Sequence, residues 1–137
     1  MDGWKHFNKW TKRGDGFTVE VVNYQDKPIS FNINDGGHRW NVYAYIYPTH
    51  PYFGKFDGDN LFQDAAIALP LHMGPSYLQW HLGLDGKVKC IQVGSDYNHL
   101  HDDYYTECED AISCVMDDAV KLFDWLSNKA SEGAEHV

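Results

Sequence analysis

From Phe17 onward, apolar side chains return at every second position. Phe17, Val19 and Val21 alternate with Thr18 and Glu20; after Gln25-Asp26-Lys27-Pro28, Ile29, Phe31 and Ile33 alternate with Ser30, Asn32 and Asn34. A two-residue period with a Pro-containing turn between its halves predicts a hairpin with one buried face. Beyond Asp35-Gly36-Gly37, the run Trp40 to Tyr47 places Trp40, Val42, Ala44 and Ile46 on one side and Tyr43, Tyr45 and Tyr47 on the other. Both sides are apolar enough to be covered, which predicts a central strand. Tyr77 to Leu82 and Val88 to Val93 flank Asp85-Gly86, a pair suited to a tight turn with positive φ at both central residues, so a second hairpin is expected there.

The period changes at the ends of the chain. Ile112, Val115, Met116, Ala119, Leu122, Phe123 and Leu126 form one stripe at 3.6 residues per turn and leave Ser113, Asp117, Lys121 and Asp124 outside it. This predicts an amphipathic helix over roughly Cys108 to Asn128. Thr106 and Glu109 have capping-box spacing, and Asp110 suits the positive end of the helix dipole. At the other terminus Trp4, Phe7 and Trp10 recur every three residues between Asp2 and Gly14, which predicts a short helix over residues 2–14. Pro48 to Asn60 is a loop by its Pro, Gly and Asp content, and Leu61 to Leu69 adds a helical turn or an irregular crossing. The expected architecture is α+β: about five antiparallel strands (two hairpins and a central strand) packed by the C-terminal helix in one domain over residues 1–130, with 131–137 a disordered tail.

Composition agrees with a self-sufficient core. Of the 137 residues 43% are hydrophobic, weighted towards 7 Phe, 9 Tyr and 5 Trp, and aromatic rings bury large areas per residue. Three cysteines without CxxC spacing fit a reducing compartment better than a disulfide framework, so a cytoplasmic protein is expected. No apolar run is long enough to cross a bilayer, and residues 1–14 lack a signal-peptide core, so no membrane partner is expected.

Charge divides the chain. Residues 1–95 hold nine acids and nine bases, whereas residues 96–137 hold eleven acids against Lys121 and Lys129, so the net charge of −9 lies in the last third. Such a balance argues against direct nucleic-acid binding, where cations must replace condensed counterions. It favours a protein partner with a basic surface, drawn to an acidic face that includes Asp110, Asp117, Asp118 and Asp124. The row Tyr43, Tyr45, Tyr47 is a second candidate contact surface, because tyrosine offers a large ring, a polar tip and few rotamers to freeze. Tyr77, Gln79 and His81 extend the row if their strand lies alongside. A homodimer is compatible with the same surfaces.

Candidate chemistry is sparse. In Asp96-Tyr97-Asn98-His99-Leu100-His101-Asp102-Asp103, an extended Leu100 points His99 and His101 to one side, an arrangement that presents two imidazoles to a divalent ion such as Zn²⁺ or Mn²⁺, with Asp96 or Asp102 supplying oxygen. His72 and His81 belong to the preceding region and are candidates to join them. A metal-dependent hydrolase is the alternative built on this cluster. Against it, no third ligand stands at a recognised spacing, and connectors rich in Asp, Asn and His use those side chains to pair their own backbone groups. There is no Walker loop, GxGxxG or GxSxG motif, and Cys90 falls in mid-strand, so no catalytic residue is assigned. A small-molecule or sugar binder with an aromatic platform is a further alternative. In size, acidity and aromatic content the chain is similar in character to accessory and inhibitor proteins of bacteriophages and prophages, a likeness of composition without a shared motif. The leading expectation is a non-catalytic protein-binding module, of that inhibitor type, docking an acidic face on a basic surface, with no cofactor.

Overall fold

The computed structural model describes residues 9–25, 38–97 and 112–135. Within them, β1 (Lys9–Arg13), β2 (Phe17–Gln25), β3 (His38–Ile46), β4 (Tyr77–Leu82) and β5 (Val88–Asp96) form one open sheet in the order β1-β2-β3-β5-β4, with every pair antiparallel. The helices are α1 (Asp64–Ile67) and α2 (Ile112–Glu135), and Phe53–Lys55 is a 3-10 turn. The α+β architecture, the central position of the Trp40 strand and the C-terminal helix follow the sequence pattern.

Register explains the core. Val21, Val42 and Ser95 stand in line across three strands, as do Val19, Ala44 and Val93, and Phe17, Ile46 and Ile91. Because side chains on neighbouring strands share a face when their residues are paired, every apolar position of the alternation falls on the same side of the sheet. The α2 residues Val115, Ala119, Leu122 and Leu126, spaced to face one way, are fully buried against β2 and β3. Phe123, at the margin of the stripe, packs on Phe17 with ring centroids 4.9 Å apart. Each fully buried leucine of this kind contributes about 1.5–3 kcal/mol of hydrophobic stabilisation.

The rest of this face is covered by the segment between β3 and β4, whose Tyr52, Phe56, Ala65, Ala66 and Leu69 join the core. His50, only 2% exposed, holds that segment to the helix. Its Nδ1 accepts the Tyr52 backbone N–H at 3.0 Å, which leaves Nε2 to donate to the Leu126 carbonyl at 2.9 Å. Tyr52 donates to the Ala65 carbonyl at 2.7 Å and meets the Trp125 ring edge to face at 4.9 Å. Both nitrogens of a buried imidazole are thus satisfied, as burial requires.

Three expectations change. Residues 9–13 are an edge strand and not the end of a helix: Trp10 pairs with Val21 and Lys12 with Val19, and Gly14-Asp15-Gly16, with φ +80° at Gly16, turns the chain into β2. Only Trp10 of this strand is buried, so no alternation was available to compete with the three-residue aromatic spacing. The Asp85-Gly86 hairpin forms, but with positive φ at Gly86 alone, and its loop is closed by Gly86 N–H to Gly83 O at 3.0 Å and Gly83 N–H to Lys87 O at 2.8 Å. The helix α2 runs past Asn128 to Glu135, into the segment read as a tail. The expected strand Ile29 to Ile33, residues 2–8 of the expected N-terminal helix and the Thr106–Glu109 capping box lie outside the described residues; β2 pairs instead with β1 and β3.

Candidate functional site

The second face of the sheet carries the polar half of each alternation together with the tyrosines. Lys9, Thr11 and Arg13 of β1 stand beside Thr18, Glu20 and Val22 of β2; then come Asn41, Tyr43 and Tyr45 of β3, with Tyr47 just beyond its end, Cys90, Gln92, Gly94 and Asp96 of β5, and Tyr77, Gln79 and His81 of β4. The helix α2 and the segment carrying His50 both pack on the opposite side. The contacts described for this face join strand to strand.

The extension of the tyrosine row occurs, but by a different route. β5 lies between β3 and β4, so Tyr43 and Tyr77 are two strands apart, about 10 Å between backbones. Both pair with Gly94 from opposite sides, and their rings meet over it at 5.4 Å in an edge-to-face contact. A Cβ on Gly94 would stand 2.3 Å from the Val42 carbonyl oxygen and 2.5 Å from Tyr43 Cδ1. Glycine is therefore what allows the rings to close over the intervening strand. One rung further on, Tyr45 and His81 approach across Gln92 at 6.3 Å, and His81 Nε2–H donates to Gln92 Oε1 at 2.8 Å. Tyr77 donates to Gln79 Oε1.

Glu20 anchors the other half of the face. The residue is 8% exposed, and its carboxylate accepts from Tyr45 Oη at 3.1 Å and pairs with Lys9 Nζ at 3.3 Å. Burial, then the adjacent Glu20 charge and hydrogen bond, pushes the Tyr45 phenol above its ordinary range, because a phenolate there loses water and meets a like charge. The phenol is a fixed hydrogen-bond donor and not an acid–base group at neutral pH. Tyr47 shares a hydrogen bond with Thr18 Oγ1 at 2.9 Å, and the Arg13 guanidinium lies over its ring at 5.4 Å. Tyr43, Tyr45 and Tyr47 are half-buried and Tyr77 is exposed. The result is a platform of aromatic faces and amide, imidazole and hydroxyl groups whose orientations are set by one another.

The acidic candidates separate. Asp117 and Asp124 are exposed on the outer side of α2, with Lys121 between them. Asp118 instead accepts the hydroxyl of the buried Tyr97 at 2.5 Å, a bond that ties the helix to the end of β5. Asp110 lies outside the described residues, as do His99 and His101. Asp96, the third member of the metal set, ends β5 with its backbone N–H donated to Ser76 Oγ at 3.1 Å. His72 stacks on Tyr97 at 4.2 Å, and His81 is engaged by Gln92. Among the described residues no group of three His, Cys, Asp or Glu side chains is placed to hold a metal ion. No described helix is long and apolar enough to cross a membrane.

Sequence reasoning passed over Glu20, Gln92 and Gly94. In sequence Glu20 reads as an ordinary outward residue of an alternating strand, and the alternation after the Asp85-Gly86 turn reads as a strand only to Val93. The available signal was a glycine in the middle of a strand-like run, which marks close approach of a neighbour. Compared with known proteins, the chain matches no family model, no curated protein and no solved structure.

Proposed function

We propose that the protein is a non-catalytic binding module that engages another protein through the tyrosine face of its sheet. The observation that carries this reading is the joined set Tyr43–Tyr77, Tyr45–Glu20, Tyr45–His81 and His81–Gln92 across β2, β3, β5 and β4. Aromatic rings already held by neighbours lose little freedom when a partner covers them, which is how tyrosine-rich surfaces bind without a deep pocket. An accessory or inhibitor role, of the kind found in bacteriophages and prophages, is the setting in which such a small module works by occupying a target.

The acidic outer side of α2 supports docking less well. It lies across the sheet from the tyrosines, farther than charges act at physiological salt, where screening falls off over about 8 Å. Its exposed Asp117 and Asp124 are also offset by Lys121. A single flat partner therefore covers one surface or the other, and the tyrosine face offers rings already held by their neighbours.

The test is quantitative capture from the native host at moderate salt, with Tyr77→Glu, Gln79→Glu and the double reversal Asp117→Lys/Asp124→Lys compared with the wild-type chain. A partner retained by the double reversal and lost with Tyr77→Glu or Gln79→Glu is expected. Retention by all the tyrosine-face variants would overturn the reading.

A further inference from the structure

We propose that the outer edge of β4, which pairs with no other described strand, pairs with the β4 edge of a second copy, joining the two described sheets into one.

The two edges of the sheet are unlike. β1 carries Lys9, Lys12 and Arg13 in five residues, and charges of one sign along an edge discourage another strand from docking there. β4, Tyr-Leu-Gln-Trp-His-Leu, has no formal charge, proline or glycine. Alternate backbone N–H and C=O groups of an edge strand point away from its own sheet and act as a template for a further strand. Leu78 and Trp80 pack against the core, with Trp80 Nε1–H donating to the Gly58 carbonyl at 2.9 Å, but the far end of the edge is open: Leu82 is 63% exposed, and Leu84, just past the strand, is fully exposed.

The sequence of β4 is complementary to itself. A twofold axis perpendicular to the sheet keeps each face on its own side, so residues of even number meet even and odd meet odd. With Trp80 at the axis, Leu78 stands opposite Leu82 of the second copy and Gln79 opposite His81. Apolar pairs then fall on the side that carries the helix and polar pairs on the tyrosine side. Placing Gln79 at the axis instead leaves Leu82 opposite Ser76, whereas the Trp80 register buries Leu82 and keeps Leu78 to Leu82 paired. The pairing extends both the core face and the tyrosine face across the dimer.

A six-residue edge covers less than the roughly 1,200 Å² at which stable interfaces begin, which makes this a weak, concentration-dependent dimer. Each copy carries a net charge of −9, so the two repel over distance while their neutral edges attract. Added salt screens the repulsion and strengthens the dimer. A partner held by charge complementarity responds in the opposite sense.

Sedimentation velocity on the full chain, from about 10 µM to about 1 mM, tests the proposal across the range expected of weak association. The expected result is a reversible shift from one to two chain masses that moves to lower concentration in higher salt. Leu82→Lys should weaken association at least tenfold even though it lowers the net negative charge, whereas Val120→Lys, on the exposed side of α2, should leave it unchanged. Circular dichroism confirms that both variants are folded. A single chain mass throughout the range, or a dimer indifferent to Leu82→Lys, would overturn the assignment.

Discussion

Tyr43 and Tyr77 belong to strands that do not pair, yet their rings meet at 5.4 Å because Gly94, on the strand between them, puts no side chain in their way. The contact links the central strand to the edge strand on the face opposite α2. It also makes one glycine answer for the meeting of these two rings. Replacing Gly94 by alanine should therefore disturb both layers: the new methyl group meets the Val42 carbonyl, which belongs to the backbone, as well as the Tyr43 ring. The expected loss is about 1–3 kcal/mol, typical of overpacking, seen as a lower urea midpoint with unchanged m-value. Near-ultraviolet dichroism should change as Tyr43 and Tyr77 part. Gly54→Ala, where nothing lies within 4 Å of the added carbon, is the control and should stay close to wild type.

His50 is expected to be a structural residue of the first importance. Removing the ring in His50→Ala deletes buried contacts with Phe17 and two hydrogen bonds, at a cost of about 2–4 kcal/mol. For a chain of this size that lowers the melting temperature by roughly 3–5 °C per kcal/mol. His50→Phe restores the ring but not the bonds to Tyr52 N–H and Leu126 C=O, and should remain below wild type by about 1–3 kcal/mol.

Burial and the Glu20 carboxylate raise the Tyr45 pKa, and the sign of the resulting pH effect is fixed. The folded protein favours the neutral phenol, so its stabilisation is complete below the unfolded value of about 10 and is lost as pH rises from there through the folded value. An absorbance titration at 295 nm should show one more phenol resisting ionisation in wild type than in Tyr45→Phe. The alkaline loss of stability should be shallower in Tyr45→Phe. Tyr52, raised by burial and then by Asp64, should resist ionisation in both proteins.

The two described cysteines should separate in a thiol assay. Cys114 is exposed on α2, while Cys90 is a buried member of the tyrosine face, with its pKa raised by that burial. In a Cys108→Ser background at pH 8, an aromatic disulfide reagent should modify Cys114 within seconds to minutes and Cys90 only as the sheet opens. Comparable rates at the two positions would show that the face around Cys90 is more open than its packing implies.

Much of this fold was legible because its strongest patterns are periodic. The stripe Val115, Ala119, Leu122, Leu126 and the alternation Trp40, Val42, Ala44, Ile46 each report a buried face directly, and both proved to be core. β1 was hidden because an edge strand with one buried residue has no period to read. The site was legible as types of residue and not as an arrangement: Tyr43, Tyr45, Tyr47, Tyr77 and His81 do share a face, but strand order placed β5 among them and brought in Gly94 and Gln92. Asp117, Asp118 and Asp124 looked equivalent in sequence, yet Asp118 is committed to Tyr97. No local pattern distinguishes an acid that faces solvent from one that meets a hydroxyl 21 residues away.

Binding through the tyrosine face is tested most directly by photo-crosslinking in the native host, with a benzophenone amino acid placed at position 43 or, separately, at position 124. The account predicts a discrete adduct with another protein from position 43 and none from position 124. An adduct from position 124 alone would contradict it, and so would the absence of any adduct from either position.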